Sequence, residues 1–356
     1  MSQRYRCEHK AEQLRLMGRP VRLRWASEYQ SCLASLTADA AWADMVILHR
    51  VPPTGAIRRL LDQCERSGRP TVFDIDDWIF DREARSFMSW NRPDSLEDYI
   101  AANSALLDRC SHSIGATSPL VERLQARGKP AFLLINNVGL EWLRLSEKGR
   151  RFRQEQEGAT LAYVSGTPTH DKDFAQILPA LTRVMRAMPS VRLRIAGPLN
   201  IPEEMSHFQD RIEHIGFVPW RKIPYILGDV DMNLAPLEIG NPFAESKSEL
   251  KYLEASPLGL PTIASPTPAF RKAITHGENG LLAESEKEWA EALLECIEEP
   301  TRRRKLGENA RRHVEEVYHP RVAAERLVGV IDEILSRRAS PEKTRHLPSP
   351  ENLRSQ

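Results

Sequence analysis

The chain has 356 residues, 41% hydrophobic and 28% charged, which at roughly 150 residues per domain is enough for two packed cores. Fifty basic against 49 acidic side chains leave a net charge of +1, so no global field recruits nucleic acid. Five scattered cysteines, Cys7, Cys32, Cys64, Cys110 and Cys296, argue against a disulfide framework or zinc ribbon and for a reducing cytoplasm.

Residues 1–24 carry seven basic and two acidic side chains, Arg4 and Arg6 among them. Such a local patch could touch an acceptor or the anionic inner face of a membrane. No apolar stretch follows Met1, so no secretory signal is expected. A helix-like run spans 8–17. Short apolar runs at 45–48, 71–75, 113–117 and 131–135 then predict buried parallel strands, with helices at 54–67 and 96–109 between them. Residues 143–158, LRLSEKGRRFRQEQEG, are charged and weakly periodic and read as an inter-domain connection.

Further strands are predicted at 160–165, 191–196, 212–216, 231–235, 261–264 and 280–282, with helices at 173–188, 220–227, 246–256 and 286–298. A last amphipathic helix at 321–338 carries Leu327, Val328, Ile331, Ile334 and Leu335 on one face. The Pro-rich polar tail after it is expected to be disordered. No apolar run reaches the ~20 residues of a membrane span. This alternation predicts an α/β fold, divided as 1–139, a connection at 140–158, 159–318, a helix at 319–338 packing back on the first domain, and a tail at 339–356. A doubly wound domain ordinarily opens on a strand and a glycine-rich turn. This chain opens on a helix, so that first strand is missing or comes from a partner chain.

Three segments can carry chemistry. In 241–265, NPFAESKSELKYLEASPLGLPTIAS, a polar loop leads into a helix expected to start near Ser246. Its free N–H groups and dipole would seat a phosphate, beside the cation of Lys247 and the hydroxyl of Ser248. Glu254 shares a helix face with Lys247 and Lys251 and can accept two hydrogen bonds from a vicinal diol such as a ribose. A solvated helix with Glu–Lys pairs is the plainer alternative. In 162–173, AYVSGTPTHDKD, a Ser-Gly-Thr turn lets backbone approach a ligand, and Lys172 could neutralise a phosphate; a simple turn is equally open. In 71–81, TVFDIDDWIFD, acids crowd the carboxyl end of a strand, where α/β folds place ligands. Asp74, Asp76 and Asp77 could bind sugar hydroxyls, act as a base or hold a metal, or one could cap a helix. His49 and Arg50 end the preceding strand at the same edge, although a surface histidine is the commoner reading. The basic run at 302–305 with Arg311 and Arg312 lacks aromatics and follows acids, so it reads as a solvated helix face and not a nucleic-acid site.

Together these motifs resemble the retaining, nucleotide-sugar-dependent glycosyltransferases of family 4, which have the GT-B fold, and among them the bacterial polysaccharide-assembly type. The resemblance rests on DIDD, INNVG, VSGTPTHDKDF, LRIAGPL, HIGFVPW, DVDMNLAPLE, the 247–265 block and HGENGLL, in that order. It implies two Rossmann-like domains facing across a cleft, with the nucleotide-sugar donor on the second and a glycan or lipid-linked acceptor on the first. Glu254 would hold the ribose, and Lys247, Ser248 and the helix N-terminus the diphosphate. Gly166, Thr167 and Lys172 would lie across the phosphates, while Phe217 and Val218 would meet the base through their backbone. Asp76 and Glu245 would serve the transferred sugar and the acceptor, with Arg4, Arg6, His49, Arg50, Asp74 and Asp77 on the acceptor side. The departing phosphate oxygen would assist deprotonation of the acceptor on the same face, and the donor would be a co-substrate with no metal or other cofactor needed.

Three positions depart from the family pattern. Ser246 replaces the first glutamate of E-x7-E, leaving Glu245 one residue away. Asp76-Asp77 stands for the usual His-Asp, and the first glycine-rich turn is absent. Two alternatives follow: a nucleotide-sugar epimerase, or a non-catalytic GT-B subunit binding a partner glycosyltransferase or a glycan.

Overall fold

The computed structural model describes residues 2–25, 28, 33–88, 93–151, 158–166 and 170–339. Thr167, Cys32 and the expected tail therefore lie outside the described residues. Short runs, buried on both faces in the central strands such as Thr71–Ile75 and Thr160–Val164, form two parallel sheets. The first orders β1 (Val46–His49), β2 (Thr71–Ile75), β3 (His112–Gly115) and β4 (Ala131–Leu133) as β1-β2-β3-β4. The second contains β5 (Thr160–Val164), β6 (Arg192–Ala196), β7 (Ile212–Ile215), β8 (Met232–Ala235), β9 (Thr262–Ala264) and β10 (Leu281–Leu282), ordered β10-β9-β8-β5-β6-β7. From β5 the chain winds outward to β7, then returns to place β8 on β5's other side. That reversal opens a crevice at the carboxyl ends of β5 and β8, the place where open α/β sheets bind ligands.

Each half has its own core. In the first, the helix Gly55–Arg66 turns Ile57, Leu60, Leu61 and Cys64 onto Phe73 and Ile75. In the second, Leu161, Tyr163, Leu193, Ile195, Met232 and Leu234 form the sheet's layer against Phe174, Leu181 and Trp289. The helix Pro320–Ala339 returns to the first sheet and packs Leu327 and Ile334 on Val72, Ile114 and Leu134. The helix Glu286–Glu298 starts with a capping box in which Ser285 and Glu288 satisfy each other's backbone N–H groups.

Three expectations change. The helix placed near Ser246 begins at Leu250; Pro242–Glu245 is a separate short helix and 246–249 a turn. Asn241 starts the short helix by accepting from the Phe243 and Ala244 N–H groups, and Ser246 stands at its C-cap, its hydroxyl donating back to the Pro242 carbonyl. The run 173–188 divides into Asp171–Ala175 and Leu178–Ala187, the second opening with Pro179 in its first turn. Residues 143–150, the first part of the stretch read as a weakly periodic connection, belong to the helix Leu140–Arg150, which buries Trp142 and Leu145. No strand precedes Val46 among the described residues. The opening residues instead form one helical segment, Arg4–Glu8 as a wide turn continuing into His9–Leu16.

Candidate active site in the cleft

A cavity of about 570 Å³ lies between the two halves, within the size range of small-molecule sites. Arg50, Asp76 and Asp77 line it from the first half. Gly166, Lys172, Asp173, Lys247, Ser248, Lys251 and Glu254 line it from the second, and Ser2 and Tyr5 reach it from the opening helix.

The acidic edge follows from strand register. His49 and Asp74 are neighbours across β1 and β2, so the imidazole Nδ1 lies 3.0 Å from the Asp74 carbonyl and 3.2 Å from its carboxylate. Arg6 donates to both Asp74 oxygens at 2.8 Å, and Lys10 Nζ lies 2.9 Å away. Burial would raise the Asp74 carboxyl, but Arg6 and Lys10 outweigh it and hold it well below the usual range. Just after β1, Arg50 adopts a φ of 50°, an uncommon conformation for a side-chain-bearing residue. Its guanidinium donates to Asp76 at 2.6 Å and also to Asp77. Burial is again outweighed, here by Arg50 and His49, and Asp76 is held at about 2. Each of these acids is thus engaged by a cation.

On the opposite wall Asp173 is the organising group. It accepts from His170 Nδ1 at 2.8 Å, from Lys247 Nζ at 2.9 Å and from the Glu238 N–H at 3.2 Å. These bonds tie the loops after β5 and β8 to the 246–249 turn. Burial works against its charge, yet His170 and Lys247 keep Asp173 at about 2. Lys251 donates to the Val164 carbonyl and lies 4.7 Å from the Tyr163 ring centre; burial lowers its ammonium to about 8.

Gly166, Lys172, Lys247, Ser248, Glu254, Arg50, Asp76 and Asp77 therefore share one cavity. Other residues singled out in the sequence do not line it. Glu245 accepts from the Gly240 N–H at 2.9 Å within its own loop. Phe217 is 76% exposed, and Val218 packs with the apolar cluster around Trp142. Ser248 lines the cavity but accepts from Asn136 Nδ2 at 2.8 Å, one of the contacts joining the halves. Arg4, Arg6, His49 and Asp74 are buried behind the lining. Asp173, His170, Lys251, Ser2 and Tyr5 were not selected from sequence. Only Lys251 carried a local signal, its helical spacing from Glu254.

The seven basic residues of the opening segment divide between interior and surface. Arg4, Arg6 and Lys10 are buried, Arg19 pairs with Asp332, and Arg22 and Arg24 both pair with Asp39. The charge of Arg4, Arg6 and Lys10 is thus spent inside the fold, while Arg15, Arg19, Arg22 and Arg24 stay on the surface. In the basic run near residue 302, Arg303 is likewise buried and pairs with Asp231 at 2.7 Å. Among the described residues no helix is long and apolar enough to cross a membrane.

Residues 158–299 match the family described as "Glycosyl transferases group 1". The chain is 25% identical over 221 residues to the O-antigen biosynthesis protein RfbC of Myxococcus xanthus, covering 57% of this chain and 17% of that protein. It is 27% identical over 132 residues to glycosyltransferase 1 domain-containing protein 1 of Xenopus tropicalis, covering 35% and 36%. The chain thus spans well under half the length of either curated relative. Among solved structures, Anabaena Alr3699/HepE in complex with UDP-glucose superposes with a TM-score of 0.62 at 16% identity, covering 90% of this chain and 88% of that one. The two Rossmann-like halves are the GT-B fold.

Proposed function

We propose that the chain is a glycosyltransferase that moves a sugar from a nucleotide-diphosphate donor to a hydroxyl of a glycan or lipid-linked acceptor, in cell-surface polysaccharide assembly. The observation that carries this reading is the cavity itself. Lys172, Lys247, Lys251 and Glu254 line one wall at the β5–β8 crevice, while Asp76, Asp77 and Arg50 face them. A diphosphate on the lysine wall would receive positive charge as it departs, in a site whose low polarity strengthens the attraction. The lysines supply that charge without a metal. Glu254 would accept from the ribose. Asp76, held ionised, would orient the acceptor hydroxyl, and the departing phosphate oxygen would take its proton on the same face, so the anomeric configuration would be retained.

The test is a thermal-shift series with millimolar UDP, GDP, TDP and CMP on the wild type and on Lys247→Ala and Glu254→Ala. A ligand bound only by the folded state raises the melting temperature. Stabilisation by one nucleotide that both variants lose supports the reading. It is overturned if no nucleotide shifts the protein and no nucleotide sugar is consumed. NMR of a product tests retention, and an inverted anomer would refute that step.

One observation favours a second reading, a non-catalytic GT-B subunit. Glu254 is already engaged by Arg4 of the opening helix, and consumption of a nucleotide sugar would eliminate that alternative.

A further inference from the structure

Two arginines one turn-half apart on the opening helix are held in very different ways. Arg6 is fully spent: Nε and Nη2 grip Asp74, and Nη1 donates to the Leu134 carbonyl at 2.7 Å and to Asn136 at 3.1 Å. All of these partners belong to the first half, so Arg6 anchors the helix there. Arg4 crosses to the second half. Its Nη2 donates to Glu254 Oε1 at 2.6 Å, and the Tyr5 hydroxyl donates to the same oxygen. The guanidinium carbon lies 4.3, 4.8 and 4.6 Å from the ring centres of Tyr5, Trp142 and Trp220.

Arg4 is only 4% exposed, yet its Nε and Nη1 find no hydrogen-bond partner among the described residues. Buried donors left unmade weaken the hold of a side chain on its place. Farther along the same strand-end edge, the Ser2 hydroxyl sits 2.6 Å from His49 Nε2 and within 2.8 Å of both Asp76 oxygens. Residues 2–5 therefore touch both carboxylates to which the functional reading gives separate tasks, Glu254 for the ribose and Asp76 for the acceptor.

We propose that residues 2–5 are a displaceable latch over the nucleotide site, hinged at Arg6 and closed by Arg4 and Tyr5 on Glu254. The inference rests on the donor-site reading above. A ribose whose two hydroxyls bridge both carboxylate oxygens needs Oε1, and Arg4 and Tyr5 already occupy that oxygen's two acceptor positions. Donor entry and latch closure are then mutually exclusive at Glu254. The nucleotide competes with a group tethered in the same chain, which lowers its apparent affinity by the fraction of time the latch is open. The under-satisfied Arg4 is the part that releases, while the saturated Arg6 stays.

The test is calorimetric titration of the full chain with the nucleotide that stabilises it best among UDP, GDP, TDP and CMP. Wild type is compared with Arg4→Met, which keeps a side chain of similar length between the indoles but removes the donors, and with Tyr5→Phe. The latch predicts affinity at least about tenfold tighter in Arg4→Met, equivalent to about 1.4 kcal/mol, and a smaller gain in Tyr5→Phe. If Arg4→Met does not fold, the gain in Tyr5→Phe decides alone. Nucleotide should also change tryptophan emission in the wild type, because Arg4 leaves Trp142 and Trp220, and this change should be lost in Arg4→Met. Equal or weaker binding by the folded variants overturns the latch and leaves the nucleotide site standing. No binding by any of the proteins overturns both.

Discussion

Arg6 holds Asp74 through two hydrogen bonds of 2.8 Å, from Nε and Nη2, and so fastens the opening helix to the carboxyl end of β2. Lys10 completes the cluster at 2.9 Å. One carboxylate thus compensates two buried cations, and it is the least replaceable member of the group.

Asp74→Asn should accordingly destabilise the protein by about 3–5 kcal/mol, the usual cost of breaking a buried ion pair from one side. Urea unfolding would read this as a lower midpoint at unchanged slope. A loss below about 1 kcal/mol would mean that the cations find other partners.

The acid limb of stability should depend on Asp76 and Asp173. Both are held at about 2, below the ordinary value near 3.9. A depressed carboxyl contributes stability that is complete above the unfolded value and is lost as pH falls through the folded one. The melting temperature should therefore drop between about pH 4 and pH 2, and Asp173→Asn should flatten that drop. At the alkaline end Lys10 and Lys251, both near 8, are cations with lowered values. The unfolded chain binds their protons more strongly, so their cost to folding is relieved as pH rises from about 8 towards about 10.4.

Lys251 also gives nucleotide binding a pH signature. If its ammonium faces the diphosphate, affinity should decline as pH rises through about 8, and Lys251→Met should bind more weakly without that dependence. Titrations from about pH 7 to pH 9 would show it. A wild-type affinity constant over that range would remove Lys251 from the phosphate wall.

Gly197 is a remote support of the cavity. Its φ is +111°, and an added Cβ would lie 1.8 Å from the Ser165 carbonyl oxygen. Gly197→Ala should cost about 1–3 kcal/mol and weaken nucleotide binding, because the chain after Ser165 carries Gly166 into the cleft. Unchanged binding by the folded variant would show that this loop shifts without consequence.

Much of the architecture was legible locally. All ten strands lie within a residue or two of the runs that predicted them; for the central ones, buried on both faces, this is because such a strand needs a continuous apolar run whatever its neighbours are. Glu254 and Lys172 were legible for a related reason, since a charged group on a helix face or beside a strand end is fixed by local geometry, whereas Lys247 reaches the cavity from the 246–249 turn. The start of the helix at Leu250 was not legible: Asn241 begins a separate short helix at Pro242 that closes at Ser246, and the chain turns before helix resumes.

What the sequence determined by itself is the order of elements, the two-sheet α/β design and the charged edge of each half. The tertiary structure decided how those charges are spent. Arg6 meets Asp74 across 68 residues and Arg4 meets Glu254 across 250, separations at which no periodicity or spacing rule operates. Three cations of a segment that read as a surface patch, Arg4, Arg6 and Lys10, are buried, where carboxylates compensate the charge that burial would otherwise leave unpaired. Local pattern sets where a chain bends and which faces are apolar; only the packed fold sets which charge neutralises which.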